Sequence, residues 1–93
     1  MKRGTHHETQ MIQKNALELQ KLVSMIERFV AGDCRTRDFV RDLESCFAAC
    51  EFDDAEEFAD LQLALATFGY GSRRHDEDVL ERECRYALRM LKA

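Results

Sequence analysis

The chain has 93 residues, which is enough for one hydrophobic core and too few for two. It contains no proline, and its formal net charge of -4 lacks the excess of Lys and Arg with which a general nucleic-acid binder neutralises phosphates. No apolar run approaches the roughly 20 residues that cross a bilayer, and residues 1–10 lack the apolar centre of a signal peptide. We therefore expect a cytoplasmic protein without a direct nucleic-acid or membrane partner.

The N-terminal third of the chain predicts one long helix. We expect residues 1–7 to form a flexible tail and residues 8–93 to form a single helical domain. From about His7 to Ala31, apolar residues recur every three or four positions, which aligns them along one side of a helix. Gly32 is expected to end this helix, because glycine adopts the left-handed backbone conformation of a helix terminus at low cost.

Three shorter helices are predicted after the first. Thr36 is a suitable N-cap for the second helix, since its hydroxyl can accept a hydrogen bond from a free backbone amide. The third helix is expected to begin at an acidic cap formed by residues 53–56. A loop at residues 69–75 should precede the last helix, which we expect to start at the acidic run 76–78. Amphipathic helices with short connections predict an all-α fold, an antiparallel four-helix bundle.

The residues with catalytic or metal-binding potential form no recognisable site. Cys46 and Cys50 are four positions apart and could offer two thiolates to a metal, but no second Cys or His pair has matching spacing. They lie among apolar residues, so core packing is the better interpretation. Cys34 and His75 are expected in loops, without a third residue to orient a catalytic pair. We therefore expect no enzymatic activity, no metal and no cofactor.

Negative charge is concentrated in one segment, because residues 53–71 contain five acidic residues and no basic one. These five residues and two acidic residues of the predicted second helix are the candidate partner-binding side chains: Glu44, Glu51, Asp53, Asp54, Glu56, Glu57 and Asp60. A surface of one sign attracts a protein of opposite sign and speeds its association. The alternative is a capped helix start with a solvent-facing surface, and composition alone does not choose between the two.

The order of these features resembles that of the colicin D-type immunity protein family, over roughly residues 17–92. The resemblance consists of apolar spacing with a few fixed residues. A first helix ends in the pattern Phe-x-x-Gly-acidic, a capped second helix opens with acidic-Phe, and a third and a last helix follow. These features correspond to residues 22–33, to Thr36 with Asp38 and Phe39, to residues 60–70 and to residues 76–91.

The resemblance implies that the chain is an immunity protein. Members of this family bind a ribonuclease toxin that cleaves transfer RNA, and acidic side chains block the basic substrate site of that toxin. The seven acidic candidates would then contact a cognate basic nuclease toxin.

Two other interpretations of the sequence stay open. The first helix could pair with a second copy in a homodimer that serves as a structural or adaptor protein, because Leu17, Leu22 and Met25 widen its apolar side. Cys34 could instead be the centre of a thiol-based sensor, since it is the one cysteine predicted outside a helix.

Overall fold

The computed structural model describes residues 2–52 and 54–92, with side chains described from Ala16 onward. Within this part of the chain there are four α-helices and no strand, so the all-α fold predicted from the sequence is confirmed. The helices are α1 (Lys2–Ala31), α2 (Arg37–Ala49), α3 (Ala59–Thr67) and α4 (Arg73–Leu91), and a single 3-10 turn (Ala55–Phe58) leads into α3.

The connection between α1 and α2 forms as the sequence predicts. Gly32 has a φ of 85°, and its amide donates to the carbonyl of Phe29 at 3.1 Å, which ends α1. Thr36 then caps α2, because its hydroxyl oxygen accepts a hydrogen bond from the amide of Phe39 at 3.1 Å. Both signals are local, so the sequence was sufficient to place this turn.

Two predicted helix starts were placed too late. α1 begins at Lys2, whereas the sequence predicted a start near His7 after a flexible tail. No proline interrupts these first residues, and the single glycine among them lowers helix propensity without breaking a helix. The mobility of residues 1–7 stays a prediction.

α4 also starts earlier than predicted, at Arg73, so that His75 lies in its first turn instead of in a loop. The acidic run marks the end of this first turn and not its beginning. The carboxylate of Asp76 turns back to accept hydrogen bonds from the amides of Gly69 and Gly71, at 3.0 and 3.2 Å. It therefore orders the preceding loop as well as complementing the helix dipole.

The predicted acidic cap of α3 differs from the observed start. A 3-10 turn precedes the helix, and Asp54 at its N-cap position makes no side-chain capping hydrogen bond. Asp53, the other predicted cap residue, lies outside the described residues.

Neighbouring helices in the chain pack side by side, and α4 closes the bundle against α1. The α1–α2 pair is antiparallel, since Arg28 near the end of α1 lies over the ring of Phe39 at the start of α2. Farther along the same pair, the thiol of Cys46 donates to the carbonyl of Glu18 at 3.8 Å. All four helices contribute fully buried side chains to one core: Leu22, Ile26, Phe29, Val40, Leu43, Leu65, Leu80 and Cys84.

The cysteines and the flank of α1 show how the apolar residues are divided between core and surface. Cys46 is buried and Cys50 packs against the core, as the core-packing interpretation of this pair predicted. Leu22 is also a core residue, and Met25 packs against the core. Of the three residues proposed to widen the apolar side of α1, only Leu17 is largely exposed, at 66%.

Candidate partner-binding surface

The structure places the acidic candidates on α2, on the α2–α3 connection and at the start of α3. Glu51 lies beyond the end of α2, which corrects its predicted place on that helix. Asp53 lies outside the described residues. The other candidates are Glu44 on α2, Asp54 at the N-cap position of the 3-10 turn, Glu56 and Glu57 within that turn, and Asp60 in the first turn of α3.

Three aromatic rings anchor the acidic connection to the bundle. The ring of Phe52 lies 5.3 Å from that of Phe47 on α2 and 4.7 Å from that of Phe58 in the 3-10 turn. Phe47 and Phe58 are buried, and Phe52 packs against the same core. Because stacked aromatic pairs stabilise beyond the area that they bury, the backbone that carries the carboxylates is held in one position.

Glu57 is held by a residue that the sequence did not single out. The hydroxyl of Tyr86 on α4 donates to its carboxylate at 2.7 Å. This hydrogen bond raises the pKa of Tyr86, because losing the phenolic proton would place two negative charges together. The guanidinium of Arg89 lies 5.9 Å from the centre of the Tyr86 ring. Glu57 is thus a fixed carboxylate on the α3–α4 boundary.

Glu44 is paired within its own helix. Its carboxylate accepts from Arg41 at 3.0 Å, one helical turn away, and Arg41 also donates to the carbonyl of Phe68 at 3.5 Å. The same arginine therefore joins α2 to the end of α3 and neutralises Glu44. Glu44 contributes less negative charge to the surface than the sequence suggested.

Asp54, Glu56 and Asp60 form what we call the acidic end of α3. All three side chains belong to exposed residues. None of the ion pairs among the described residues uses them. Their negative charge consequently faces solvent, available to a positively charged partner.

Three arginines from neighbouring segments lie around the opposite end of α3. The guanidinium of Arg37 donates to the carbonyl of Gly69 at 3.0 Å. It lines a cleft of about 350 Å³ together with Arg35 and Arg73. Arg35 and Arg73 are both ion-paired with Glu77, at 3.7 and 3.1 Å. Arg37 thus joins α2 to the end of α3 through a backbone carbonyl, whereas Arg35 and Arg73 are paired with a carboxylate of α4.

Between its two ends, α3 presents an uncharged outer face that the sequence analysis missed. Leu63 is 62% exposed and Tyr70, just beyond the helix, is 79% exposed. Ala66 and Thr67 lie between them and are exposed too. Residues 61–72 contain no charged side chain, a signal that was visible in the sequence. We call Leu63, Ala66, Thr67 and Tyr70 the outer face of α3.

The cysteines and the other metal-binding residue types are spread over the described part of the chain. Within residues 2–52 and 54–92, no three His, Cys, Asp or Glu side chains are grouped so that they could hold a metal ion. Burial raises the pKa of the Cys50 thiol to about 11 and that of Cys84 to about 12, which disfavours the thiolate forms that bind metals. Cys34 is half-buried against the core. None of the described helices is long and apolar enough to cross a membrane.

Comparisons with protein-family models, with curated proteins and with solved structures each found no match for this chain. A functional proposal therefore depends on this surface and on the resemblance described from the sequence.

Proposed function

We propose that this chain is an immunity protein that acts in the cytoplasm by binding a basic nuclease toxin and covering its active site. The observation that supports the proposal is the acidic end of α3, where Asp54, Glu56 and Asp60 are exposed and in no described ion pair. The resemblance of the sequence to colicin D-type immunity proteins also supports the proposal. In this proposal the chain binds its toxin and performs no catalysis.

Charge complementarity is the physical basis of the proposal. A nuclease binds its substrate through Lys and Arg that contact phosphates, so its active site is a positively charged surface. Carboxylates at the acidic end offer the opposite charge without a phosphodiester bond that could be cleaved. Their field also steers the toxin towards the inhibitor and raises the association rate, which matters for a protein that must act before the nuclease does.

The connection between α2 and α3 is held rigidly, which favours binding by the carboxylates that it carries. The aromatic contacts of Phe52 and the Tyr86–Glu57 hydrogen bond hold the acidic connection before a partner arrives. A surface that is already ordered loses less conformational entropy on association. Glu57 would contribute as a positioned carboxylate, with Tyr86 fixing its direction.

The test is co-purification from the strain that makes this protein, with the tagged chain as bait and washes of rising salt. We expect one basic polypeptide that elutes as salt rises, cleaves transfer RNA when isolated, and loses that activity when the chain is added back. Salt should release it because the pairing of exposed charges is screened. Recovery of the bait alone, or of a protein without nuclease activity, would contradict the proposal.

A triple variant then tests the surface. Asp54→Asn, Glu56→Gln and Asp60→Asn together should weaken toxin binding by about 2 kcal/mol, if each exposed pair contributes about 0.7 kcal/mol. This corresponds to roughly a thirtyfold higher dissociation constant and a weaker dependence on salt.

The matched control removes the same charge elsewhere. Asp33→Asn, Asp42→Asn and Asp78→Asn change three other exposed residues. This control should bind the toxin nearly as well as the unaltered chain. Equal loss in both triple variants would mean that overall charge, and not the acidic end of α3, determines binding.

A further inference from the structure

α3 has an apolar side that faces the core, and its outer face carries further exposed apolar side chains beside the polar Gln62 and Thr67. Leu61, Ala64 and Leu65 are buried inward, while Leu63 and Tyr70 lie outward with most of their surface exposed. Large apolar side chains grouped on an exposed face favour a covering partner, because an exposed apolar surface is costly in water. The outer face of α3 therefore has the composition of an interface that lacks its second half.

We propose that a second copy of this chain covers the outer face of α3, with the two α3 helices antiparallel across a two-fold axis. A two-fold interface brings the same surface of both copies together, so the surface must complement itself. This face meets that condition, because it is uncharged in its middle, acidic at one end and bordered by arginine at the other. Antiparallel pairing places the acidic end of each copy beside the arginine end of the other.

The register of the pairing follows from its central residue. With Leu63 on the axis, Glu56 of one copy lies opposite Tyr70 of the second copy, beside Gly69. The guanidinium of Arg37 is held at this glycine by its 3.0 Å hydrogen bond to the carbonyl. Each interface would thus contain two equivalent Glu56–Arg37 contacts around a centre formed by Leu63 and Tyr70. An apolar centre with a charged rim is the usual arrangement of a specific interface.

Parallel pairing would lack this complementarity, since it would bring one acidic end against the other. The two-fold arrangement differs from a dimer through α1, whose proposed apolar flank is largely occupied by the core of its own chain.

This inference goes beyond the proposed function and does not depend on a toxin. Glu56 and Asp60 belong to both surfaces, so a toxin and a second copy would compete for them. The dimer is measured on the isolated chain, whereas the toxin is measured by capture and inhibition. Failure of one proposal can therefore be distinguished from failure of the other.

The first experiment is sedimentation analysis of the isolated chain over a wide concentration range. We expect the mass to rise from that of one 10.8 kDa chain to that of two. Leu63→Ser should raise the dimer dissociation constant about tenfold or more, as loss of a central apolar contact usually does. Leu17→Ser is the control, because it removes an equally exposed leucine from α1, and it should leave the dimer unchanged.

A charge exchange tests the register. Glu56→Lys and Arg37→Glu should each weaken self-association about tenfold, because each places like charges together at both rim contacts. An equimolar mixture of the two variants should dimerise again, since one contact is then reversed and the other is unaltered. Recovery in the mixture also shows that both variants fold.

Three results would overturn the inference. The first is a chain that stays monomeric at every concentration. The second is a dimer that is lost with Leu17→Ser and kept with Leu63→Ser. The third is a mixture of the charge variants that associates no better than either variant alone.

Discussion

Arg35 joins the end of α1 to α4, and its replacement by methionine should be strongly destabilising. Its guanidinium donates to the carbonyls of Phe29 and Val30, at 3.0 and 3.4 Å, in the last turn of α1, where the helical hydrogen-bond pattern ends. The same group forms ion pairs with Glu77 and Glu81 on α4 and lies 4.8 Å from the centre of the Phe29 ring. Arg35→Met keeps most of the apolar stem and removes all of the polar contacts.

The expected loss can be estimated from these contacts. Hydrogen bonds from a charged donor contribute about 1.5–3 kcal/mol at full strength, and we take about 1 kcal/mol for each because the side chain is partly exposed. The ion pairs with Glu77 and Glu81, both partly exposed, together add about 1 kcal/mol. The free energy of unfolding should therefore fall by about 3 kcal/mol, which lowers the Tm by about 12–24 °C for a domain of this size.

Urea and thermal unfolding, followed by circular dichroism, measure this loss. Arg35→Lys is the matched variant, because it keeps the charge but lacks the planar fork, and it should lose about half as much stability. The Arg35 hydrogen bond lowers the pKa of the Glu81 carboxyl. The stability that the charged Glu81 carboxylate contributes is complete above its unfolded-state pKa of about 4.3. This stability is lost as the pH falls through the lower pKa of the folded state.

The difference in the free energy of unfolding between the unaltered chain and Arg35→Met should consequently shrink in acid. It should not vanish, because the hydrogen bonds to the two carbonyls do not depend on Glu81. A loss below about 0.5 kcal/mol at neutral pH would refute the role of Arg35 as a junction, since that is the range of ordinary surface substitutions. A difference that does not change with pH would refute the contribution of Glu81.

Three further predictions concern single residues. Glu57→Gln should lower the raised pKa of Tyr86 towards 10. An absorbance titration measures this pKa when the other tyrosine is replaced by Phe, and an unchanged midpoint would mean that the Tyr86–Glu57 hydrogen bond does not form in solution. Gly32→Ala should lower the free energy of unfolding by about 1 kcal/mol because its φ is 85°. Gly69→Ala should lower it somewhat more in thermal melts, since its φ is 94° and the added Cβ would displace the Arg37 guanidinium from its hydrogen bond to the Gly69 carbonyl; equal losses would mean that this hydrogen bond adds no stability. Cys84, buried and with a pKa of about 12, should resist alkylation until the chain unfolds, and rapid labelling of the native protein, read by mass spectrometry, would show that this part of the core opens.

The local features of the bundle were predictable because they depend on residues close together in the sequence. The cap at Thr36 joins a hydroxyl and an amide three positions apart, and Gly32 ends α1 through its own backbone conformation. The apolar spacing of α1 likewise predicted one buried side of this helix, where Ile26 and Phe29 lie, whereas Leu22, expected at its flank, is buried as well. Interactions within one helical turn leave a direct signal in the sequence.

The helix starts were less predictable, because several residue types satisfy the same terminus. An acidic run suggested that α4 starts at residue 76, yet the chain becomes helical at Arg73 and uses Asp76 to order the loop before it. Charge near a helix start limits its position only to within about a turn.

The sequence by itself determined that this chain is helical, acidic on balance and most acidic between α2 and α3. Only the tertiary structure decided which carboxylates are available to a partner. Glu57 is held by Tyr86, 29 positions away, and Glu44 is paired with an arginine that also contacts the end of α3. Tertiary packing likewise decided which apolar side of α3 stays uncovered, leaving Leu63 in solvent. These outcomes depend on contacts between distant segments, whose relative positions are set by the packing of all four helices and not by any local pattern.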